Sequence, residues 1–177
     1  MNFILRSIMV LSVNRRLNVL PEHRLRRIRQ QGFVGLSDVK LTSLAFGIRF
    51  PYRLCALLLI LGLVTASVPI FIVLMVIALS SIFLPYHPFD YIYNHILRYK
   101  LGRPKLPPRG KQIKFSCGIA AIWMGCTAYF FHVEMLGAAY VAGISLTLIA
   151  LLVSTTDYCV PSQLFNWAFN FDTGVKT

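Results

Sequence analysis

The stretch from Leu54 to Leu84 holds 31 consecutive residues without a charged side chain. No other feature constrains the fold as much. A membrane-spanning helix needs about 20 predominantly apolar residues. The run is therefore long for one span and short for two. Pro69 lies near its middle, beside Thr65, Ala66 and Ser67, residues that suit a tight turn. Two spans fit if the first begins near Ile48, with Arg49 and Arg53 snorkelling to the interface. A single tilted span is the other reading. A second apolar block, Ser116 to Thr156, is broken only at His132, Val133 and Glu134. It divides into helices of about 115–131 and 135–156.

Charge arbitrates between the two readings. Lys and Arg outnumber Asp and Glu 18 to 6, for a net charge of +12. Residues 1–53 carry ten basic and two acidic side chains, and residues 85–115 carry seven and one. Cytoplasmic loops hold the Lys and Arg excess. If both segments are cytoplasmic, an even number of spans separates them, which favours a hairpin over 54–84. Glu134, at the tip of the second hairpin with no Lys or Arg nearby, suits the outer side.

The expected fold is an all-α integral membrane protein of four transmembrane helices in two hairpins. A basic N-terminal interfacial segment, 1–47, precedes a membrane domain, 48–162, with spans of about 48–67, 69–86, 115–131 and 135–156, and 163–177 forms a tail. The expected location is the cell membrane, as in a bacterial inner membrane, with both termini cytoplasmic. Apolar residues make up 56% of the chain and charged residues 14%, against about a quarter charged in soluble domains. Such a basic membrane protein meets anionic lipid headgroups rather than nucleic acid.

Within the N-terminal segment, residues 1–20 show no clean amphipathic stripe. The short apolar run from Ile8 to Val13 is followed by Arg15 and Arg16 instead of a cleavage site, so it does not read as a signal peptide. Pro21 and Gly32 frame a helix whose apolar stripe is Leu25 and Ile28. Leu41, Leu44, Ala45 and Ile48 follow helical spacing and predict an interfacial helix over 40–50.

Signatures of phosphate binding, dinucleotide binding, zinc proteolysis and serine hydrolysis are absent. Cys55, Cys117, Cys126 and Cys159 form no Cys-x-x-Cys pair, and no His or Cys spacing suggests a metal. No cofactor is expected. The proposed topology nevertheless gathers His87, Asp90, Cys117, Asp157 and Cys159 at one cytoplasmic rim, and ionisable groups at a helix mouth are candidate sites. In the plain reading Asp90 starts a helix, Asp157 and Pro161 end the fourth span, and the cysteines are inert. In the sharper reading Cys117 and Cys159 form a reversible thiol pair, with His87 or Asp157 adjusting thiolate formation. Arg98, Lys100, Arg103, Lys105, Arg109 and Lys111 of the Pro-rich central loop, with Arg49 and Arg53, are the expected contacts to lipid or a partner. Ala121 and Gly125, and Ala139 and Gly143, recur every four residues as helix-packing positions.

From about residue 45 to 162 the chain resembles a bacterial family of small four-span membrane proteins classed only as a domain of unknown function. The two short hairpins, the Arg- and Pro-rich loop ending at Pro107, Pro108 and Arg109 before Phe115, and Cys159 after the last span carry the resemblance. It implies the architecture and no activity. The leading expectation is a non-catalytic accessory or assembly subunit that contacts membrane lipids and other integral membrane subunits, or copies of itself. The alternative is a thiol-dependent membrane oxidoreductase using Cys117 and Cys159.

Overall fold

The computed structural model describes residues 19–169, and every regular element within them is helical. The apolar run near the N-terminus and the end of the tail lie outside the described residues.

Helix α1, Glu22–Gln30, follows Pro21 and ends before Gly32, whose φ of +99° is a left-handed conformation that suits glycine. Its two apolar residues, Leu25 and Ile28, are both buried. Helix α2, Asp38–Val64, has 27 residues and runs unbroken through Pro51. The stripe of Leu41, Leu44, Ala45 and Ile48 is thus continuous with the first span instead of forming a separate interfacial helix. That stripe is covered by protein rather than by lipid headgroups: it packs with Leu25, Ile28, Tyr93, Leu106 and Ile113.

The chain then turns over Thr65–Ser67. Ala66 takes a φ of +46°, and Ser67 N–H donates to the Gly62 carbonyl at 2.9 Å, which closes the end of α2. Helix α3, Val68–Phe83, packs back on α2, with Gly62 against Ile70 and Phe71. Its 16 residues reach about 24 Å at 1.5 Å per residue, less than a hydrocarbon core of about 30 Å. After a break, α4 (Pro88–Leu101) continues at an angle of 81° to α3. Helix α4 contains a π-helical turn, Tyr93–Leu97, and ends at Gly102 with a φ of +58°. Helices α5 (Lys111–His132) and α6 (Leu136–Thr156) form the second hairpin, turning at Val133–Met135 with Glu134 at a φ of +58°. A short helix, α7 (Val160–Ala168), follows.

Helix α2 packs on α3 and α6, and α5 packs on the same two helices, so the four close a ring. Helices α2, α5 and α6 are long and apolar enough to cross a membrane, and α3 with α4 makes a fourth only as a bent pair. The outward faces carry exposed Leu57, Val64, Val73, Ile122, Val141 and Leu148. An apolar exterior of this kind needs lipid as solvent, and the chain is an all-helical, multi-pass membrane protein.

Two cores hold it together by different physics. Within the ring, Leu59, Phe71, Leu74, Met124 and Phe131 meet; lipid offers them an equally apolar alternative, so close packing decides their contribution. The second core joins α1, α4 and the basic ends of α2 and α5. There the alternative is water, and each fully buried large apolar side chain contributes about 1.5–3 kcal/mol.

Candidate functional site

Two buried carboxylates organise the basic end of the ring. Asp157 sits just after α6 with a φ of +59°. Arg49 Nε donates to its Oδ1 at 2.5 Å, and Arg49 Nη2 and Arg24 Nε donate to its Oδ2 at 2.7 and 2.8 Å. Arg24 and Arg27 also donate to the last carbonyls of α6, at Thr155 and Thr156. Cations at a helix C-terminus meet the negative end of its dipole. Helix α1 therefore docks by capping α6, and Gln31 adds a hydrogen bond from Nε2 to the Asp157 carbonyl at 2.6 Å.

Asp90 is the second carboxylate. His87 and Asp90 form a reciprocal cap at the start of α4: His87 Nδ1 accepts from Phe89 N–H at 3.2 Å, and Asp90 Oδ2 accepts from His87 N–H at 3.1 Å. Arg109 reaches the same carboxylate with Nε and Nη2, each at 2.6 Å. Burial pulls the Arg109 pKa down, but the Asp90 charge and hydrogen bonds more than offset this and raise it. The guanidinium stays charged. The opposite holds for His87, whose pKa falls to about 4 because it is buried and faces the Arg109 cation, against a smaller upward pull from Asp90. The imidazole is neutral, as its acceptor role at Nδ1 requires.

Between these carboxylates and the ring interior lies a cavity of about 120 Å³. Helix α2 supplies Tyr52 and Cys55, α3 supplies Leu74 and Ala78, and α5 supplies Cys117, Ala120 and Trp123. Leu146 and Val153 of α6 complete the apolar wall, and His87, Arg109 and Cys159 line the charged end. Ser116 Oγ stands 3.0 Å from Ser162 Oγ and 3.5 Å from Cys159 Sγ, joining the first turns of α5 to the start of α7. Tyr52 OH donates to Gln31 Oε1 at 3.4 Å, and its ring lies under the Arg109 guanidinium at 5.9 Å. The two carboxylate clusters are thus linked through Tyr52 and Gln31. All four cysteines are free thiols. Among the described residues, no three His, Cys, Asp or Glu side chains are grouped to hold a metal ion.

The structure brings His87, Cys117 and Cys159 to one cavity and leaves Asp157 beside it, bound to Arg49 and Arg24. Cys55 and Tyr52 join them, although Cys55 sits in a Leu-rich run that reads as plain membrane filler. Of the cations expected to meet lipid or a partner, Arg49 and Arg109 are turned inward onto carboxylates, because each closes a buried ion pair. Arg53, Lys100, Arg103, Lys105 and Lys111 are exposed and Arg98 is half-buried. Arg53 and Arg103 lie over the Phe46 ring, Lys105 over Tyr86 and Arg98 over Tyr99. The small-residue positions pack inside the ring. Ala121 and Ala139 are buried, Gly125 faces Met75, and Gly143 faces Leu63 and Thr127.

No curated protein and no solved structure matches the chain. One family model does match, over residues 46–169, a stretch that includes all four cysteines, both buried carboxylates and Arg109 but not α1. On that match the chain belongs to the family described as Domain of unknown function (DUF4395).

Proposed function

We propose that this protein is a thiol-dependent membrane oxidoreductase in which Cys117 and Cys159 pass between dithiol and disulfide. The supporting observation is convergence: Cys117 from α5, Cys159 from the loop after α6 and Cys55 from α2 face one apolar cavity beside His87 and Arg109. A disulfide needs Cα atoms within about 7 Å. Supporting such proximity, Cys159 Sγ lies 3.5 Å from Oγ of Ser116, the residue before Cys117. Forming the disulfide releases two electrons and two protons. A quinone that becomes a quinol matches this stoichiometry, as does a protein disulfide that becomes a dithiol.

The accessory-subunit reading has less support from the geometry. The small-residue faces it needs for a partner are occupied within the chain, by Met75, Leu63 and Thr127. By the Lys and Arg excess of the first 53 residues and the central loop, the cavity end bearing Arg109 and Cys159 lies on the cytoplasmic side of a cell membrane.

The test is differential alkylation of the full chain in membranes, quenched in acid and denatured before labelling. Cys117 and Cys159 should gain label together only after reduction, and Cys117→Ser should leave Cys159 labelled throughout. Full labelling of both thiols under every oxidising condition, with silent Ser substitutions, would end this reading.

A further inference from the structure

We infer that the cavity binds the ring headgroup of a neutral, carbonyl-bearing lipophile of the benzoquinone class, held by a hydrogen bond from Arg109 Nη1. This deepens the thiol reading, on which it rests for the fate of the electrons, by naming the oxidant.

The first observation is a donor without an acceptor. Arg109 lines the cavity, and its side chain is 2% exposed. Nε and Nη2 are occupied by Asp90, while buried Nη1 has no hydrogen-bond partner among the described residues. Arg109 lines the cavity and its partner Asp90 does not. The group has little freedom to turn elsewhere, with Asp90 on one edge and the Phe33 and Tyr52 rings over its faces at 5.5 and 5.9 Å. A buried charged donor left unpaired is costly, and a ligand oxygen removes that cost.

Charge and size narrow the ligand. Asp90 already neutralises the guanidinium, so the cavity offers a strong donor without net positive charge. Most of its wall is Leu, Ile, Val, Ala, Met and Trp side chains. A neutral carbonyl enters such a site more readily than an anion, whose desolvation the walls do not repay. The volume of about 120 Å³ lies near that of an engineered apolar cavity of about 150 Å³ that admits benzene. It takes one six-membered ring rather than a fused pair.

The ligand then sits among the thiols. The Cys117 and Cys159 S–H bonds break, an S–S bond forms, and the two electrons and two protons pass to the two ring carbonyls, which become hydroxyls.

Trp123 lines the cavity, and Trp167, the other tryptophan, is 79% exposed on α7. A Trp167→Phe full-length chain in micelles therefore reports on the cavity through Trp123 alone. Titration with a short-tailed benzoquinone should give saturable quenching. Ala120→Phe, which fills the cavity and leaves the Asp90–Arg109 pair intact, should abolish saturation. Arg109→Lys, which keeps a cation for Asp90 but removes Nη1, should weaken binding about tenfold, the loss of one hydrogen bond. Quenching that is linear and the same in both variants would mean micelle partitioning and would overturn the inference.

The same titration on Cys117→Ser/Cys159→Ser separates the two claims. Saturable binding without quinol formation supports both. Binding with undiminished quinol formation overturns the thiol reading and leaves the binding site standing. Conversely, Cys117–Cys159 oxidation by a protein disulfide, in a chain that shows no saturable quenching, keeps the thiol reading and removes the quinone.

Discussion

Asp90 and Arg109 share two hydrogen bonds of 2.6 Å between side chains that are 0% and 2% exposed. Breaking such a pair from one side leaves an uncompensated charge, at a cost of about 3–5 kcal/mol. Asp90→Ala should therefore destabilise the chain by that amount in thermal unfolding in lipid nanodiscs. The double change Asp90→Asn with Arg109→Gln should cost clearly less than the two single changes added together, because it removes both charges. Strict additivity would mean that the pair is not coupled.

Asp157 supports a second prediction, with a different readout. Its left-handed backbone suits Asn nearly as well as Asp, so Asp157→Asn removes the charge without straining the turn. Arg49 and Arg24, at 13% and 24% exposure, then lose their counter-ion. Helix α1 should detach from α6, and trypsin should cleave at Arg24 and Arg26 at least tenfold faster than in the parent. Read at Arg26, Arg24→Gln should have a larger effect than Arg49→Gln, since Arg24 belongs to α1 and bonds both Asp157 and the Thr155 carbonyl. Unchanged proteolysis would show that the apolar contacts of Leu25 and Ile28 hold α1 alone.

Local chemistry made much of this architecture legible. Pro21 and Gly32 bracket α1, the charged break at 132–134 is the turn between α5 and α6, and the Leu41 to Ile48 stripe is a buried helical face. Pro51 has no N–H and its ring disfavours a straight helix, yet α2 continues through it. Helices in protein and lipid re-satisfy such freed groups, so a proline there does not mark a boundary. The carboxylate clusters were not legible, because their partners are set by the fold. Arg24 and Asp157 lie 133 residues apart, and nothing near Arg109 distinguishes it from the five other cations of its loop. Cys55 was missed for the reason that buried Cys is chemically close to a small apolar residue. Only its place on the cavity wall sets it apart.

Gly47 and Gly137 give a paired test of close packing. A Cβ on Gly47 would stand 2.6 Å from Tyr93 Cζ and 2.9 Å from its hydroxyl, and Tyr93 is wholly buried. The ring has nowhere to move, so Gly47→Ala should destabilise by about 1–3 kcal/mol through overpacking. A Cβ on Gly137, in the first turn of α6, meets nothing within 4 Å. Gly137→Ala should be neutral or stabilise by up to about 1 kcal/mol through helix propensity. Thermal melts of the two variants side by side check this, and equal effects would exclude the Tyr93 contact as the cause.

His87 should make stability depend on pH. Its pKa is about 4 in the folded chain against an ordinary 6.5, through burial and the Arg109 charge. Below 6.5 the unfolded chain binds a proton that the folded one does not, so stability falls as pH drops from 6.5 to about 4 and levels off below that. The full loss across this window is about 3 kcal/mol, at 1.36 kcal/mol per pKa unit. His87→Asn retains a side-chain acceptor at the start of α4 but cannot titrate. It should flatten the slope between pH 6.5 and 4 while leaving stability at pH 7.5 within about 1 kcal/mol of the parent. A slope that survives the substitution would assign the titration to another group and would place a charged imidazole beside Arg109.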